Sequence, residues 1–292
     1  MLLSAHTGPI NKKFTLKESI KIISDAGFDA YDLSAYSETA KEELCFGGNW
    51  REKALELRKY ADSLGIVCNQ SHAVMPSSVG EPQKDKELFE EIIWDMEVAS
   101  VLGAKIIVVH PKQHFNYADN AEELFNINME FYKSLIPYCE KFNIKIATEN
   151  MFQWHHAPNC AKDSTCSRAW EFCKYVDAVD SEWIVGCLDL GHTALVEADT
   201  ADFIHQLGNK RLQALHVHDN NKIHDEHTLP FLRSMDFVQI TKALGEIDYK
   251  GDFTYELDYF YKNFPKELYP AITKLAEQVG RYLINEIENN RK

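Results

Sequence analysis

One unit recurs eight times along this chain: a helical stretch, a glycine or asparagine stop, a short apolar run, then a polar residue. The apolar runs fall at 2–5, 30–33, 66–71, 105–109, 144–148, 183–188, 212–217 and 252–257. Helical spacing is read at 16–26, 50–64, 85–103, 119–142, 167–178, 200–208, 236–245 and 266–289. The first helix is the clearest, with Thr15 and Glu18 as a capping box and Gly27 as its stop. Runs that are almost wholly apolar belong to strands buried on both faces, as in parallel sheets covered by helices. Eight such units with right-handed crossovers predict a closed (β/α)8 TIM barrel rather than an open doubly wound sheet. No G-x-G-x-x-G or P-loop pattern follows a strand, which weakens the open alternative further. With 45% hydrophobic residues and no Pro/Gly/Ser-rich linker, residues 1–292 read as one domain.

Composition narrows the partners. The formal net charge is −14 and the basic residues are scattered, which argues against a nucleic-acid substrate, because polyanion binding draws on clustered cations. The seven cysteines are odd in number and contain no C-x-x-C pair, which fits a reducing compartment. The start, MLLSAHTGP, lacks the pattern of a signal peptide, and no apolar run is long enough to span a bilayer. A cytoplasmic location without membrane partners is the expectation.

Barrel chemistry collects at the C-terminal ends of the strands. Those positions hold His6, Asp32 or Ser34, His72, His110, Glu149, Asp189, His216 with His218, and Glu256 with Asp258. Ordinary strand ends favour Gly, Asn, Ser or Pro to turn the chain. A ring of acids and imidazoles at one mouth is costly without a cation to offset repulsion among the carboxylates. Counting by two places small residues directly below each candidate: Ala147 below Glu149, Cys187 below Asp189, Ala214 below His216 and Thr254 below Glu256. Glu149, Asp189, His216 and Glu256 then form a set of three carboxylates and one imidazole, suited to one Mn²⁺, Zn²⁺ or Mg²⁺ ion.

The segments "IATEN", "CLDLGHT", "LHVHDN" and "TYELD", in order at barrel spacing, resemble the xylose isomerase-like TIM-barrel superfamily. The opening "FTLKESIKIISDAGFDAYDLS" is similar to that group too, so the resemblance covers essentially the whole chain. It implies that Glu149, Asp189, His216 and Glu256 hold one divalent cation. It also implies that Glu149 and Glu256 act as acid and base on a metal-chelated hydroxy-ketone of a small sugar or polyol, with no organic cofactor. A homodimer is common in the family, and the resemblance leaves one open here. The superfamily's endonuclease IV-like members carry three zinc ions and act on abasic DNA. Their ligand set has counterparts here in His72, His110, Glu149, Asp189, His192, His216, Asp225, His227 and Glu256. This is the alternative reading. The D-x-H of Asp225 and His227 is usually followed in the family by Pro-Gly-x-Gly, whereas this chain has Phe231 and Arg233 in place of the glycines.

His72, His110, His192, His218, Asp225 and His227 are therefore expected to contact substrate or additional metal. The long stretch 151–167 after the fifth strand reads as an irregular functional loop in which Trp154 covers the substrate. The set His155, His156, Cys160 and Cys166 fits no standard zinc spacing. No basic cluster follows the seventh and eighth strands, which points to an unphosphorylated substrate. His6, His114 and His224 receive no role.

Overall fold

The computed structural model describes residues 1–157 and 159–291. Eight parallel strands run Leu3–His6, Ala30–Ser34, Val67–His72, Ile106–Val108, Lys145–Glu149, Ile184–Asp189, Leu212–His216 and Phe253–Tyr255. Each from the first to the sixth pairs with the next, and the first also pairs with the eighth, Leu3 opposite Phe253. The last seam, between strands seven and eight, is short. It consists of a parallel bridge between Val217 and Tyr255, in which the Val217 N–H donates to the Thr254 carbonyl (2.9 Å) and the Glu256 N–H to the Val217 carbonyl (3.2 Å). This is the single (β/α)8 TIM barrel that the alternation predicts.

The outer helices are Leu16–Ala26, Trp50–Ser63, Pro82–Leu102, Tyr117–Phe142, Ala169–Val179, Thr200–Arg211, Phe237–Glu246 and Tyr269–Asn289. The first begins in the expected capping box, Thr15 with Glu18, and ends at Gly27 with φ +100°. The third starts earlier than its apolar spacing suggests because Pro82 occupies its first turn, where a missing N–H costs nothing. The last starts later, since Lys266–Leu268 forms a separate 3₁₀ turn.

The stretch expected to be irregular is instead built around an antiparallel hairpin, Phe152–His155 against Cys160–Asp163. The first strand alternates, with Phe152 and Trp154 between Gln153 and His155, but the second, Cys160–Asp163, does not, and both are only partly buried or exposed. Only the cross-strand register, Phe152 opposite Asp163 and His155 opposite Cys160, reveals it. Among the described residues no helix is long and apolar enough to cross a membrane.

Two apolar layers support the mouth. The large one packs helices against the outside of the barrel, and a small inner one contains Val108, Ala147, Val185, Cys187 and Ala214. Ala147, Cys187 and Ala214 thus sit in the interior one pleat below Glu149, Asp189 and His216. Small side chains there leave room for bulky ligand-bearing residues to converge above them.

Helix Phe237–Glu246 crosses Tyr269–Asn289 at Gly245, where an added Cβ would lie 2.6 Å from both the Ile287 carbonyl oxygen and the Asn290 Cβ. A backbone atom cannot yield cheaply. Gly245→Ala is expected to lower stability by about 1–2 kcal/mol, because overpacking outweighs the gain of about 1 kcal/mol in helix propensity. Urea denaturation monitored by circular dichroism measures this.

Candidate metal centre

The Glu149 carboxylate ends the fifth strand and is almost wholly removed from water. One oxygen lies 3.2 Å from His110 Nε2, 3.2 Å from His216 Nδ1 and 3.8 Å from His72 Nε2. The other lies 3.4 Å from His192 Nδ1. Glu256, one residue past the eighth strand, brings its Oε2 to 3.4 Å from the same His216 Nδ1 and 3.5 Å from His227 Nδ1. Asp189 lies beside His216 in register, and its ligand oxygen falls within 4.8 Å of ligand atoms of Glu256, His218 and His227. Glu149 and Glu256 thus meet at His216 Nδ1, and Asp189 adjoins Glu256 on the side of His218 and His227.

Asp189 carries a second duty that its sequence position does not announce. Its Oδ1 accepts the His192 N–H at 2.7 Å, capping the short helix Leu190–Leu195, while His218 Nε2 approaches its two oxygens at 3.0 and 3.1 Å. His218 is fully buried and stacks on His227 at 3.9 Å between ring centroids. It fits only because residue 191 is glycine: a Cβ there would sit 2.0 Å from His218 Cε1. The "LGH" of the sixth-strand motif therefore leaves space for an imidazole from the seventh.

The other expected residues form two flanking groups. His72 and His110 approach each other at 3.0 Å between their Nε2 atoms, and both reach Glu149. His192, Asp225 and His227 also converge, with Asp225 Oδ2 2.8 Å from His227 Nε2 and 3.7 Å from His192 Nε2. The loop bearing Asp225 and His227 keeps a glycine-like turn despite the substitution: Phe231 has φ +74°. A bulky residue in that region carries a cost of about 1–2 kcal/mol.

Burial penalises charge throughout the centre, and neighbouring charges decide each outcome. Desolvation opposes the Glu149 carboxylate, yet His216 and His110 outweigh it and hold the group well below the usual range. At Glu256 burial wins against His216 and His227, and the carboxyl is pushed up to about 8. His192 is raised to about 10, because Asp189, Asp225 and Glu149 overcome its desolvation. His72 is lowered to about 3, by burial first and then by His110 and His216.

Two atoms test whether a cation fits. Glu149 Oε2 and His216 Nδ1 are buried and face each other, yet neither completes a hydrogen bond. Buried polar atoms are rarely left so, and a pair aimed into one space suits a shared divalent ion. Carboxylate and imidazole donors of this kind suit Zn²⁺ or Mn²⁺.

The centre forms the floor of a cavity of about 870 Å³. Phe152, on the hairpin, lines it and packs edge-on against His192 at 4.9 Å. Trp154 lies farther along the hairpin against His224, at 6.1 Å, and is not among the lining residues. Two contributors, Asn150 and Tyr36, are not singled out by the sequence, and a third, His6, stands at a strand end without an assigned role. Asn150 ties strands five and six together, donating to the Asp189 carbonyl (2.9 Å) and accepting the Asp189 N–H (2.8 Å). His6 accepts the Leu257 N–H at 3.1 Å and so fixes the chain beside Glu256, while burial lowers its pKa to about 4. Tyr36 lines the cavity and meets His72 edge-on at 5.3 Å. Asn150 adjoins Glu149 in "IATEN" and was open to notice, whereas the other two depend on contacts distant in sequence. Asp32 points into the buried interior and accepts from Gln70 Nε2 at 2.9 Å.

A D-psicose 3-epimerase from Enterocloster bolteae is 22% identical over 253 residues, covering 80% of this chain and 74% of that protein. An uncharacterized protein of Sinorhizobium fredii is 27% identical over 164 residues, 55% of this chain, and the match spans 50% of that relative's length. Among solved structures, a D-tagatose 3-epimerase-like protein superposes with TM-score 0.76 at 21% identity, covering 98% of this chain and 99% of that one. An IOLI protein with a bound zinc atom superposes with TM-score 0.77 at 17% identity, covering 99% of each chain. The family model for the xylose isomerase-like TIM barrel matches residues 20–278. With that span matched, the chain belongs to the xylose isomerase-like TIM barrel family.

Proposed function

We propose that this protein is a divalent-metal-dependent epimerase or isomerase of a small sugar or polyol-derived ketone. The observation that carries this is the convergence of Glu149 and Glu256 on His216 Nδ1 at the floor of a cavity large enough for a sugar. The similar proteins of stated activity act on sugars, as their names say, and support the same class.

Glu149, Asp189, His216 and Glu256 would hold the cation. The chemistry such an ion would supply is Lewis-acid polarisation of a hydroxy-ketone, which would make the adjacent C–H acidic. Glu149 and Glu256 come from strands five and eight, with His216 of strand seven between them. They therefore reach the reacting carbon from different sides, one carboxylate to take its proton and the other to return one. His72, kept neutral by burial, and His110 are placed to hydrogen-bond substrate hydroxyls beside Glu149. His192, Asp225 and His227 border the opposite side, and Phe152 excludes water there.

The trinuclear endonuclease IV-like alternative draws on the two flanking groups, which could take further ions. It is not favoured. The chain carries a net charge of −14, and the similar proteins of stated activity are sugar epimerases.

Two measurements follow from the site. For a ketose that the wild type epimerises in D₂O, followed by NMR, Glu149→Gln and Glu256→Gln are each expected to lower kcat and solvent-deuterium incorporation by about 10²–10⁴-fold. Intact turnover in both variants would rule out the two-carboxylate mechanism. Metal binding should also release protons. Glu256, at about 8, holds a proton at pH 7 and must lose it to ligate, so raising the pH towards 8 should strengthen binding and acidification should weaken it. Calorimetric zinc titration in buffers of different ionisation enthalpy reads the release. A buffer-independent heat at pH 7 would contradict it.

A further inference from the structure

The cavity is polarised along its depth. Its floor is carboxylate and imidazole, while its lining includes three basic side chains: Lys12, Lys13 and Lys262. Lys12 is committed to Asp258, 3.4 Å away. The other two have no carboxylate partner among the described residues. Lys13 donates to the Phe264 carbonyl at 2.8 Å and lies 5.1 Å from the Tyr269 ring centroid. Lys262 lies 4.9 Å from the ring centroid of Tyr259. Both lysines are exposed, and both tyrosines line the same cavity.

Resting on the sugar-epimerase reading, we propose that the substrate carries an anionic substituent, bound at the rim by Lys13 and Lys262. The hydroxy-ketone end lies on the carboxylate floor and the anion lies between the two ammonium groups. In a chain of net charge −14, Lys13 and Lys262 are the two lysines of the cavity lining left without a carboxylate partner among the described residues. They offset the repulsion an anion would meet on approach; Lys262 offers three donors to a phosphate or carboxylate oxygen, and Lys13 offers two beside its bond to the Phe264 carbonyl. The aromatic ring beside each ammonium group limits where it can go, which lowers the entropic cost of fixing it on a ligand. The absence of a basic cluster after strands seven and eight, read from the sequence, concealed this arrangement. Lys262 follows the eighth strand alone, and Lys13 joins it from behind the first because those two strands are paired.

The chemistry is shared by a phosphate ester and a uronate carboxylate, so three probes are needed: D-fructose, D-fructose 6-phosphate and D-fructuronate. Isothermal titration onto the zinc-loaded full chain should show at least one of the two anions binding on the order of tenfold or more tightly than fructose. The favoured anion identifies the substituent. Lys13→Gln/Lys262→Gln should bring the anion-to-fructose affinity ratio to near unity, and added NaCl should weaken anion binding more than fructose binding. Fructose bound as tightly as both anions, or a preference that survives the double substitution, would overturn the anionic-substrate inference alone. Failure of all three probes to bind would overturn the sugar reading together with it.

Discussion

The structure turns on one buried carboxylate. Glu149 sits among four imidazoles, from His72, His110, His192 and His216, each within 3.8 Å of one of its oxygens. An isolated carboxylate so far from water would protonate, because desolvation in a low-dielectric interior costs several kcal/mol. Glu149 stays ionised because the barrel aims partners at it from the strands or strand ends on either side and across the mouth. Its charge adds to those of other neighbours that raise His216 and His192, and it reinforces the burial that pushes up Glu256. No single strand could build this arrangement. Closing a parallel sheet brings every strand's C-terminal end to one place, and the small side chains beneath provide the room.

Much of this is legible in one dimension because two periodicities coincide. The helix–strand alternation places polar residues at strand ends, and the two-residue period within strands puts Ala147, Cys187 and Ala214 on the same face as Glu149, Asp189 and His216. Those positions need no knowledge of helix packing or loop geometry. His72, His110, His192, Asp225 and His227 reach the same mouth for the same reason, each lying within a few residues of a strand's C-terminal end or on a loop anchored there.

What escaped the sequence depends on contacts between distant segments. The hairpin at Phe152 is four residues a side and its second strand, Cys160–Asp163, has no apolar alternation, so the sequence does not mark the pair, and Phe152 rather than Trp154 meets His192. His6 beside Leu257 and Lys13 beside Phe264 both arise because the first and eighth strands are neighbours, which places residues about 250 positions apart in contact. Gly191 was visible as a letter of the "LGH" motif, but its purpose was not. Only the placement of His218 shows that a methyl group would close the site.

The central claim is that one divalent cation sits among Glu149, Asp189, His216 and Glu256. Anomalous diffraction from crystals of the zinc-loaded protein, recorded on both sides of the zinc edge, tests it most directly. A single strong peak bounded by these four side chains is expected. Peaks instead at His72, His110 and Glu149 and at His192, Asp225 and His227, or no peak at the floor of the cavity, would contradict it.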